Sequence, residues 1–270
     1  MNGFFILVIR EPYWVCHKGL IICGGVYTFG WGDFCRAGVY MRVDLKLCKH
    51  YFLTCNNEVR RKHFWEEFGG LDITEILGVG GMDKQASGPI GFSRMLDRAV
   101  CDFRGERFRP FCIFEDDVKK YREFPEYVDI PDDADILYLG LSSYGISDFS
   151  HCYEMYYKGV DSDVVRVLNM LSLHGLMICS VRGLVALQKC FLEGYYTNQV
   201  WDILIAQLQP HYNMYALRVP LVYQCGELGG QEAPTKIELG GGERPDLPPH
   251  WVNRNNLSIM SCHPDCCSSL

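Results

Sequence analysis

The sequence predicts an α/β fold in which a mostly parallel sheet carries helices on both faces. Segments with the apolar spacing of helices alternate with short apolar segments that are typical of buried strands. The chain has 270 residues, a length that favours one main domain with an appendage. Hydrophobic residues make up 48% of the sequence, and this share excludes a disordered chain.

The alternation begins near His50. The elements predicted in this first half are a strand His50–Cys55, a helix Glu58–Phe68, a strand Ile73–Val79 and a helix Ile90–Phe103. Phe64, Trp65 and Phe68 are expected on one face of the first helix, and glycines follow Phe68 as a stop signal. Apolar side chains recur at helical spacing in the second helix as well.

The second half continues the same pattern. Its predicted elements are strands Phe111–Phe114 and Ile136–Leu139, a helix Val164–Leu171, a strand Leu176–Cys179, and helices Leu184–Leu192 and Asn198–Leu208. Asn198 is the expected N-cap of the last helix, since its side chain can accept a hydrogen bond from a main-chain N–H in the first turn. Strands that alternate with helices in this way favour a parallel sheet.

Three regions are expected along the chain. Residues 1–49 form an N-terminal extension of uncertain structure, rich in glycine and aromatic residues, with six bases against three acids. Residues 50–244 form the main domain, and residues 245–270 form a loosely structured tail. The tail contains Cys262, His263, Cys266 and Cys267, which are possible zinc ligands, but their spacing is not that of a zinc finger and a disordered tail is the alternative.

Charge, cysteine content and hydropathy limit which partners and which compartment are expected. The net charge of −7 argues against a duplex nucleic-acid partner, because such proteins usually carry a basic excess. Several of the fourteen cysteines, such as Cys112 and Cys179, stand inside apolar segments and are expected to be reduced core residues. The predicted location is therefore cytoplasmic, with the lumen of the secretory pathway as the alternative. No apolar segment reaches the ~18 residues of a spanning helix, so no integral membrane segment is expected.

Three consecutive acids are the strongest motif. Glu115, Asp116 and Asp117 directly follow the apolar segment Phe111–Phe114. Adjacent carboxylates repel one another, and a divalent ion such as Mg²⁺ or Mn²⁺ would neutralise them while also contacting phosphate oxygens. The alternative is an ordinary solvated acidic turn. The window Glu115–Asp135 contains nine acids and three bases, so most of the negative surplus of the chain lies in it.

The acidic motif is one of seven short sequence segments, called blocks below, that carry a resemblance through their order. The blocks are His50–Arg61, Gly88–Gly91, Phe114–Val118, Asp135–Gly140, Ser172–Ser180, Val200–Asp202 and Val219–Gln224. In this order the blocks resemble glycosyltransferase family 25, whose members include lipopolysaccharide and procollagen galactosyltransferases. The likeness covers about His50 to Leu239. The chain departs from the family after Gly91, where Phe92-Ser93-Arg94 replaces a Cys and a Ser-His pair.

The resemblance implies a Rossmann-like fold of the GT-A type and an Mn²⁺-dependent, usually inverting glycosyltransferase. The donor would be a nucleotide-diphosphate sugar, with a UDP-sugar such as UDP-galactose as the default. The acceptor would be a hydroxyl of a glycan or glycoprotein. Two other functions stay open: a non-catalytic glycan- or nucleotide-binding relative, and a metal-dependent phosphotransferase or nuclease.

The candidate site residues follow from these blocks, and each also has a purely structural interpretation. Asp202 is the candidate general base, although an Asp at a helix start is common for its interaction with the helix dipole. His174 is a second candidate catalytic residue, although a lone His is more often a core residue. The candidate metal ligands are Asp117 and Asp116. Residues expected to contact the nucleotide or diphosphate are Arg60, Arg61, Gly80, Gly81, Arg94, Glu115 and Asp116.

Overall fold

A computed structural model describes most of the chain. The described residues are 6–7, 15–16, 20–21, 27–28, 39–55, 57–80, 84–104, 107–146, 155–229 and 237. The predictions for Gly81, for the possible zinc ligands and for the whole tail 245–270 lie outside them.

The described strands are β1 (Ile6–Leu7), β2 (Val15–Cys16), β3 (Leu20–Ile21), β4 (Tyr27–Thr28), β5 (Tyr40–Asp44), β6 (Lys49–Thr54), β7 (Ile73–Leu77), β8 (Phe111–Glu115), β9 (Val118–Lys120), β10 (Tyr127–Pro131), β11 (Ile136–Tyr138), β12 (Tyr156–Gly159), β13 (Val164–Asn169), β14 (Gly175–Ile178), β15 (Met214–Leu217) and β16 (Val222–Gln224). The described helices are α1 (Glu58–Phe68), α2 (Lys84–Asp102), α3 (Val181–Thr197), α4 (Trp201–Leu208) and a short 3₁₀ helix (Gly226–Leu228).

An eight-stranded mixed sheet forms the centre of the molecule. Its strand order is β12-β13-β15-β11-β14-β8-β6-β7. Strands β8, β6 and β7 are parallel to one another, and β11 is parallel to β15, whereas β14 and β13 run antiparallel to both of their neighbours. The α/β class predicted from the sequence is confirmed, and most strands of the sheet run in one direction.

Helices cover both faces of this sheet, as predicted. On one face, α2, α3 and α4 pack through side chains such as Phe92, Leu187 and Leu204. On the other face, Phe64 and Phe68 of α1 pack against Phe114 of β8. The paired strands β5 and β10 also cover this second face, because Val43, Val128 and Ile130 belong to the same buried cluster. Strand β5 lies within the range predicted as the N-terminal extension.

The segment from Val164 was predicted to be a helix, and that prediction was wrong. Val164–Asn169 is strand β13, which pairs with β12 on one side and β15 on the other. Three of its first four residues are valine, whose β-branched side chain restricts rotamers in a helix and packs well on a pleated sheet. The apolar spacing was compatible with both structures, and pairing on both sides selected the strand.

The start of the last predicted helix was also wrong. Asn198 ends α3 in the left-handed conformation with φ of 55°, and α4 begins only at Trp201. Asparagine tolerates this conformation better than most residues, so it serves here as a C-cap and not as the expected N-cap. The helix Glu58–Phe68 was predicted with its observed bounds, whereas two others begin earlier than predicted: α2 at Lys84 and α3 at Val181.

In the part of the chain that the structure describes, every helix is too short or too polar to span a membrane.

Candidate functional site

The predicted acids lie at the edge of the sheet where β6, β8 and β11 have their carboxyl ends. These strands run in the same direction, and β14 runs against them, so the residues just before β14 lie at the same edge. Thr54, Glu115 and His174 are far apart in the sequence but therefore lie at the same edge of the sheet. In open α/β sheets, ligands bind at this edge.

Asp116 is buried, and both oxygens of its carboxylate accept hydrogen bonds. The main-chain N–H of Cys55 donates to its Oδ2 at 3.0 Å, and Nη1 of Arg60 donates to its Oδ1 at 3.0 Å. Asn57 directs Arg60 to this place, because its side chain accepts from the N–H groups of Val59 and Arg60 and so caps α1. Such a cap is worth about 1 kcal/mol.

Asp117 is buried beside Asp116 but is only partly satisfied. Its Oδ2 accepts a hydrogen bond of 3.2 Å from Nε2 of Gln224 and lies 3.4 Å from Nη1 of Arg60. Its Oδ1 is buried and has no hydrogen-bond partner among the described residues. Burial raises the pKa of this carboxyl group, while Arg60 and Gln224 act in the opposite direction. Asp117 thus has one oxygen available for a cation or a ligand.

Glu115 connects the acidic turn to Asp202. Burial raises the pKa of Glu115 well above its usual value, and the charges of Asp117 and Asp202 raise it further. Asp202 lies in the first turn of α4, and its charge acts on Glu115, so the start of this helix is near the acidic turn. The predicted metal ligands Asp116 and Asp117 act on the same carboxyl group, and Glu115 is therefore the point that they share with the predicted general base.

His174 lies in the same region but is enclosed. Its Nδ1 is 3.3 Å from the hydroxyl oxygen of Ser172, and its Nε2 is buried without a hydrogen-bond partner among the described residues. A Cβ placed on Gly140 would lie 2.2 Å from this Nε2, so only glycine leaves room for the ring. Burial lowers the pKa of His174 to about 4, and the imidazole is neutral at pH 7.

Arg61 points away from the acids, although it follows Arg60 directly. Its Nε donates to Oε1 of Glu75 on β7 at 2.7 Å, and its side chain is 44% exposed. A cleft of about 410 Å³ opens here, at the carboxyl ends of β6 and β7, and its lining consists of Thr54, Glu58, Arg61, Glu75 and Leu77. The Oγ1 of Thr54 is buried and lacks a hydrogen-bond partner within the described ranges. Arg61 therefore borders a cavity next to the acidic turn.

The glycine block at the start of α2 has a packing role. A Cβ on Gly88 would lie 2.4 Å from the indole of Trp201, and a Cβ on Gly91 would lie 2.9 Å from the side chain of Leu53. The block thus lets α2 approach both α4 and β6. Arg94, which follows it, is exposed on α2.

Gly80, another predicted contact, lies at the periphery, and so does Arg98, an arginine one helical turn after Arg94. Gly80 is an exposed turn residue after β7. Arg98 pairs with Asp102 within α2 at 2.8 Å, as an exposed helix arginine commonly does.

Gln224, Ser172, Gly140 and Thr54 stand within the blocks that carry the resemblance, but sequence analysis gave none of them a role at the site. Gln224 ends β16 and contacts Asp117, and Ser172 contacts both the ring of His174 and the main-chain oxygen of Gly140. The available signal was position, because each of these residues stands at or next to a strand end. Polar residues and glycines at such ends are common, so position alone could not separate them from ordinary turn residues.

The residues at the acidic turn could hold a divalent ion only if a bound substrate and waters supplied most of its ligands. In the described ranges, no group of three or more His, Cys, Asp or Glu side chains is arranged as a metal site. Mg²⁺ typically takes only one or two protein carboxylates, with waters and substrate phosphates as its other ligands. The unpartnered Oδ1 of Asp117 suits that arrangement, and Asp116 offers less because its oxygens already accept hydrogen bonds.

Comparison with known proteins does not assign a family. No protein-family model matches the chain, and a search of curated proteins finds no match.

Proposed function

We propose that the protein is a metal-assisted glycosyltransferase. It would move a sugar from a nucleotide-diphosphate donor to a hydroxyl of a glycan or glycoprotein, and UDP-galactose is the first donor to test. The interpretation of the fold as GT-A-like is part of this proposal. The observation that carries it is that Asp117, whose buried Oδ1 has no hydrogen-bond partner among the described residues, and Asp202 both act on the buried Glu115 at the carboxyl end of β8. A site for a diphosphate and a site for a base are both needed for sugar transfer.

The donor would lie along the carboxyl ends of β6 and β8. The cleft bordered by Thr54 and Arg61 would take the nucleoside. The diphosphate would then reach Asp117, where an Mn²⁺ or Mg²⁺ ion would be held, with Glu115 and Asp116 beside it. When bound, such an ion neutralises charge on the leaving diphosphate. Arg60 holds both Asp116 and Asp117 in place.

Asp202 would act as the general base. Its carboxylate would take the proton of the acceptor hydroxyl while that oxygen forms a bond to the anomeric carbon. The bond between the anomeric carbon and the diphosphate oxygen breaks in the same step, and UDP leaves with the electron pair. Attack from the side opposite the leaving group inverts the anomeric configuration. His174 is neutral and enclosed, so we assign it a positioning role through its contact with Gly140.

One observation favours the alternative of a non-catalytic relative that binds a nucleotide or glycan. Arg60 already pairs with Asp116 and Asp117, so the acidic turn has a cation from the chain itself. The turn can therefore fold without a metal ion. Such a protein would bind UDP or a sugar but would not release UDP from a UDP-sugar.

The test compares the wild-type protein with Asp117→Asn and with Asp132→Asn, an exposed acid of the same acidic window. UDP release from UDP-galactose would be measured with Mn²⁺ and a panel of acceptor sugars. We expect release by the wild type and by Asp132→Asn, and a loss of about a hundredfold or more in Asp117→Asn. Unchanged release by Asp117→Asn would refute the assignment of Asp117. UDP binding without release in the wild type would favour the non-catalytic alternative.

A further inference from the structure

The carboxyl end of α3 carries an exposed aromatic patch, which consists of Tyr195, Tyr196, Leu192 and Val200. Tyr195 is 40% exposed and Tyr196 is 80% exposed. The two rings meet edge to face, with their centroids 5.3 Å apart. Leu192 and Val200 are exposed next to them in the sequence. A tyrosine ring that is mostly in solvent contributes little to the core, so its apolar face is available to a ligand.

This aromatic patch lies at the end of α3 that packs against the start of α4, the helix of the proposed catalytic base. Gly194 precedes the tyrosines, and a Cβ on it would lie 3.5 Å from the Cβ of Trp201 and 3.2 Å from the main-chain oxygen of Gln199. The lack of a side chain at Gly194 therefore lets the start of α4 pack against the end of α3. Trp201 is followed directly by Asp202. The end of α3 that carries the tyrosines and the first turn of α4 that carries the candidate base are thus joined at this helix junction.

The chemistry of the junction suits an uncharged, hydroxyl-rich ligand. The segment 194–201 has the sequence GYYTNQVW and contains no charged residue. Asn198 and Gln199 are exposed and present amide groups that donate and accept hydrogen bonds. Tyrosine rings with asparagine and similar polar residues are typical of recognition surfaces. A sugar ring offers C–H bonds on its face to a phenol ring and hydroxyls at its rim to amides.

We infer that the aromatic patch and the α3–α4 connection form the acceptor-binding surface, and that the acceptor is a neutral oligosaccharide. One of its rings would stack on Tyr196, and its terminal hydroxyl would reach Asp202. An acidic peptide would find no basic residue in the segment 194–201. This inference rests on the proposed function, because Asp202 needs an acceptor hydroxyl only if the protein transfers a sugar.

The experiment measures oligosaccharide binding without donor or metal. Lactose, cellotriose and chitotriose serve as probes, with saturation-transfer NMR to detect contact and calorimetry to obtain Kd. The variants are Tyr196→Ala, Tyr195→Ala and Tyr196→Phe, and Tyr127→Ala is the control because Tyr127 is an exposed tyrosine on β10, which pairs with β5 on the other face. All replaced side chains are at least partly in solvent, and equal melting temperatures would confirm that the variants fold.

We expect at least one probe to bind the wild type, Tyr127→Ala and Tyr196→Phe with similar Kd. Loss of the ring in Tyr196→Ala should raise Kd about fivefold or more, since stacking contacts of aromatic rings are worth about 1 kcal/mol. The inference is overturned if no probe binds the wild type, or if Tyr196→Ala and Tyr195→Ala bind as the wild type does.

Failure of this inference and failure of the proposed function are distinguishable. If the protein releases UDP from a UDP-sugar but the tyrosine variants keep full acceptor binding, the enzyme stands and the patch is not its acceptor surface. If the probes bind in a manner that depends on Tyr196 but no UDP-sugar binds or turns over, the patch is a glycan site on a protein that is not a transferase.

Discussion

Nη1 of Arg60 donates a hydrogen bond of 3.0 Å to Oδ1 of Asp116. The two residues are 56 positions apart, and their pairing joins the first turn of α1 to the turn after β8. Arg60 thus compensates the buried carboxylate, while Oδ1 of the neighbouring Asp117 is buried without a hydrogen-bond partner in the described part of the chain. The acidic turn combines a structural ion pair with a carboxylate oxygen whose capacity to accept a hydrogen bond or a cation is unused there.

Loss of this cation should destabilise the fold. Arg60→Met leaves Asp116 buried without its partner charge, and we expect the free energy of unfolding in urea to fall by about 3–5 kcal/mol. The matched control is Arg61→Met, the adjacent arginine, whose pair with Glu75 is partly exposed. That substitution should lower the free energy of unfolding much less, because solvent screens an exposed pair. A second change, Asp116→Asn, should restore part of the loss, and equal effects of the two single substitutions would contradict the interpretation.

Gly140 should tolerate no side chain as long as His174 is present. A Cβ at this position would lie 2.2 Å from Nε2 of His174, a distance that forces the ring to move. We expect Gly140→Ala to lower the free energy of unfolding by about 2 kcal/mol. Gly70→Ala is the control, because a Cβ there has no neighbour within 4 Å. Recovery of stability in the double variant Gly140→Ala/His174→Ala would identify the ring as the cause, and no recovery would exclude it.

Asp202 should affect the chemical step and not donor binding. Asp202→Asn removes the proton acceptor, and general-base catalysis is worth about 10²–10⁴ in rate. We therefore expect kcat for sugar transfer to fall by about that factor, while the thermal shift produced by UDP with Mn²⁺ stays that of the wild type. A parallel loss of UDP binding would instead indicate that Asp202 holds the donor, and unchanged kcat would remove it from the mechanism.

Two buried histidines should make the protein less stable in mild acid. Burial lowers the pKa of His50 and of His174 to about 4, from 6.5 in the unfolded chain. Between pH 6.5 and about pH 4 the histidines are protonated in the unfolded state but not in the folded state. The free energy of unfolding is therefore unaffected by them above pH 6.5 and decreases as the pH falls towards 4. Each histidine should account for about 3 kcal/mol over this range.

His50→Phe isolates one of these two contributions. His50 packs against the ring of Phe114, so a phenyl ring suits its surroundings. Urea unfolding would be followed from about pH 7.5 to about pH 4.5 for the wild type and the variant, so that effects of the buried carboxylates cancel. The difference in unfolding free energy should shift in favour of the variant as the pH falls. A constant difference across this range would show that His50 does not titrate as described.

Much of the site could be predicted from local sequence. Phe111–Phe114 is apolar at every position and so predicts a buried strand, and the acids that follow it stand at its carboxyl end. Phe64 and Phe68 recur at helical spacing and are buried on one face of α1. In these cases the information lies within a few neighbouring residues, because the period of a strand or helix is a local property.

Other features were decided only by tertiary structure. The valines from Val164 are compatible with helix and strand, and hydrogen bonding to β12 and β15 selected the strand. The partner of Asp116 and the glycine that admits His174 depend on chain segments tens of residues away. The sequence by itself thus determined the acidic turn, its strand and the α/β class. The fold decided which cation neutralises that turn and which of its oxygens stays open, because long-range contacts in a packed core are set by the whole sheet and not by local pattern.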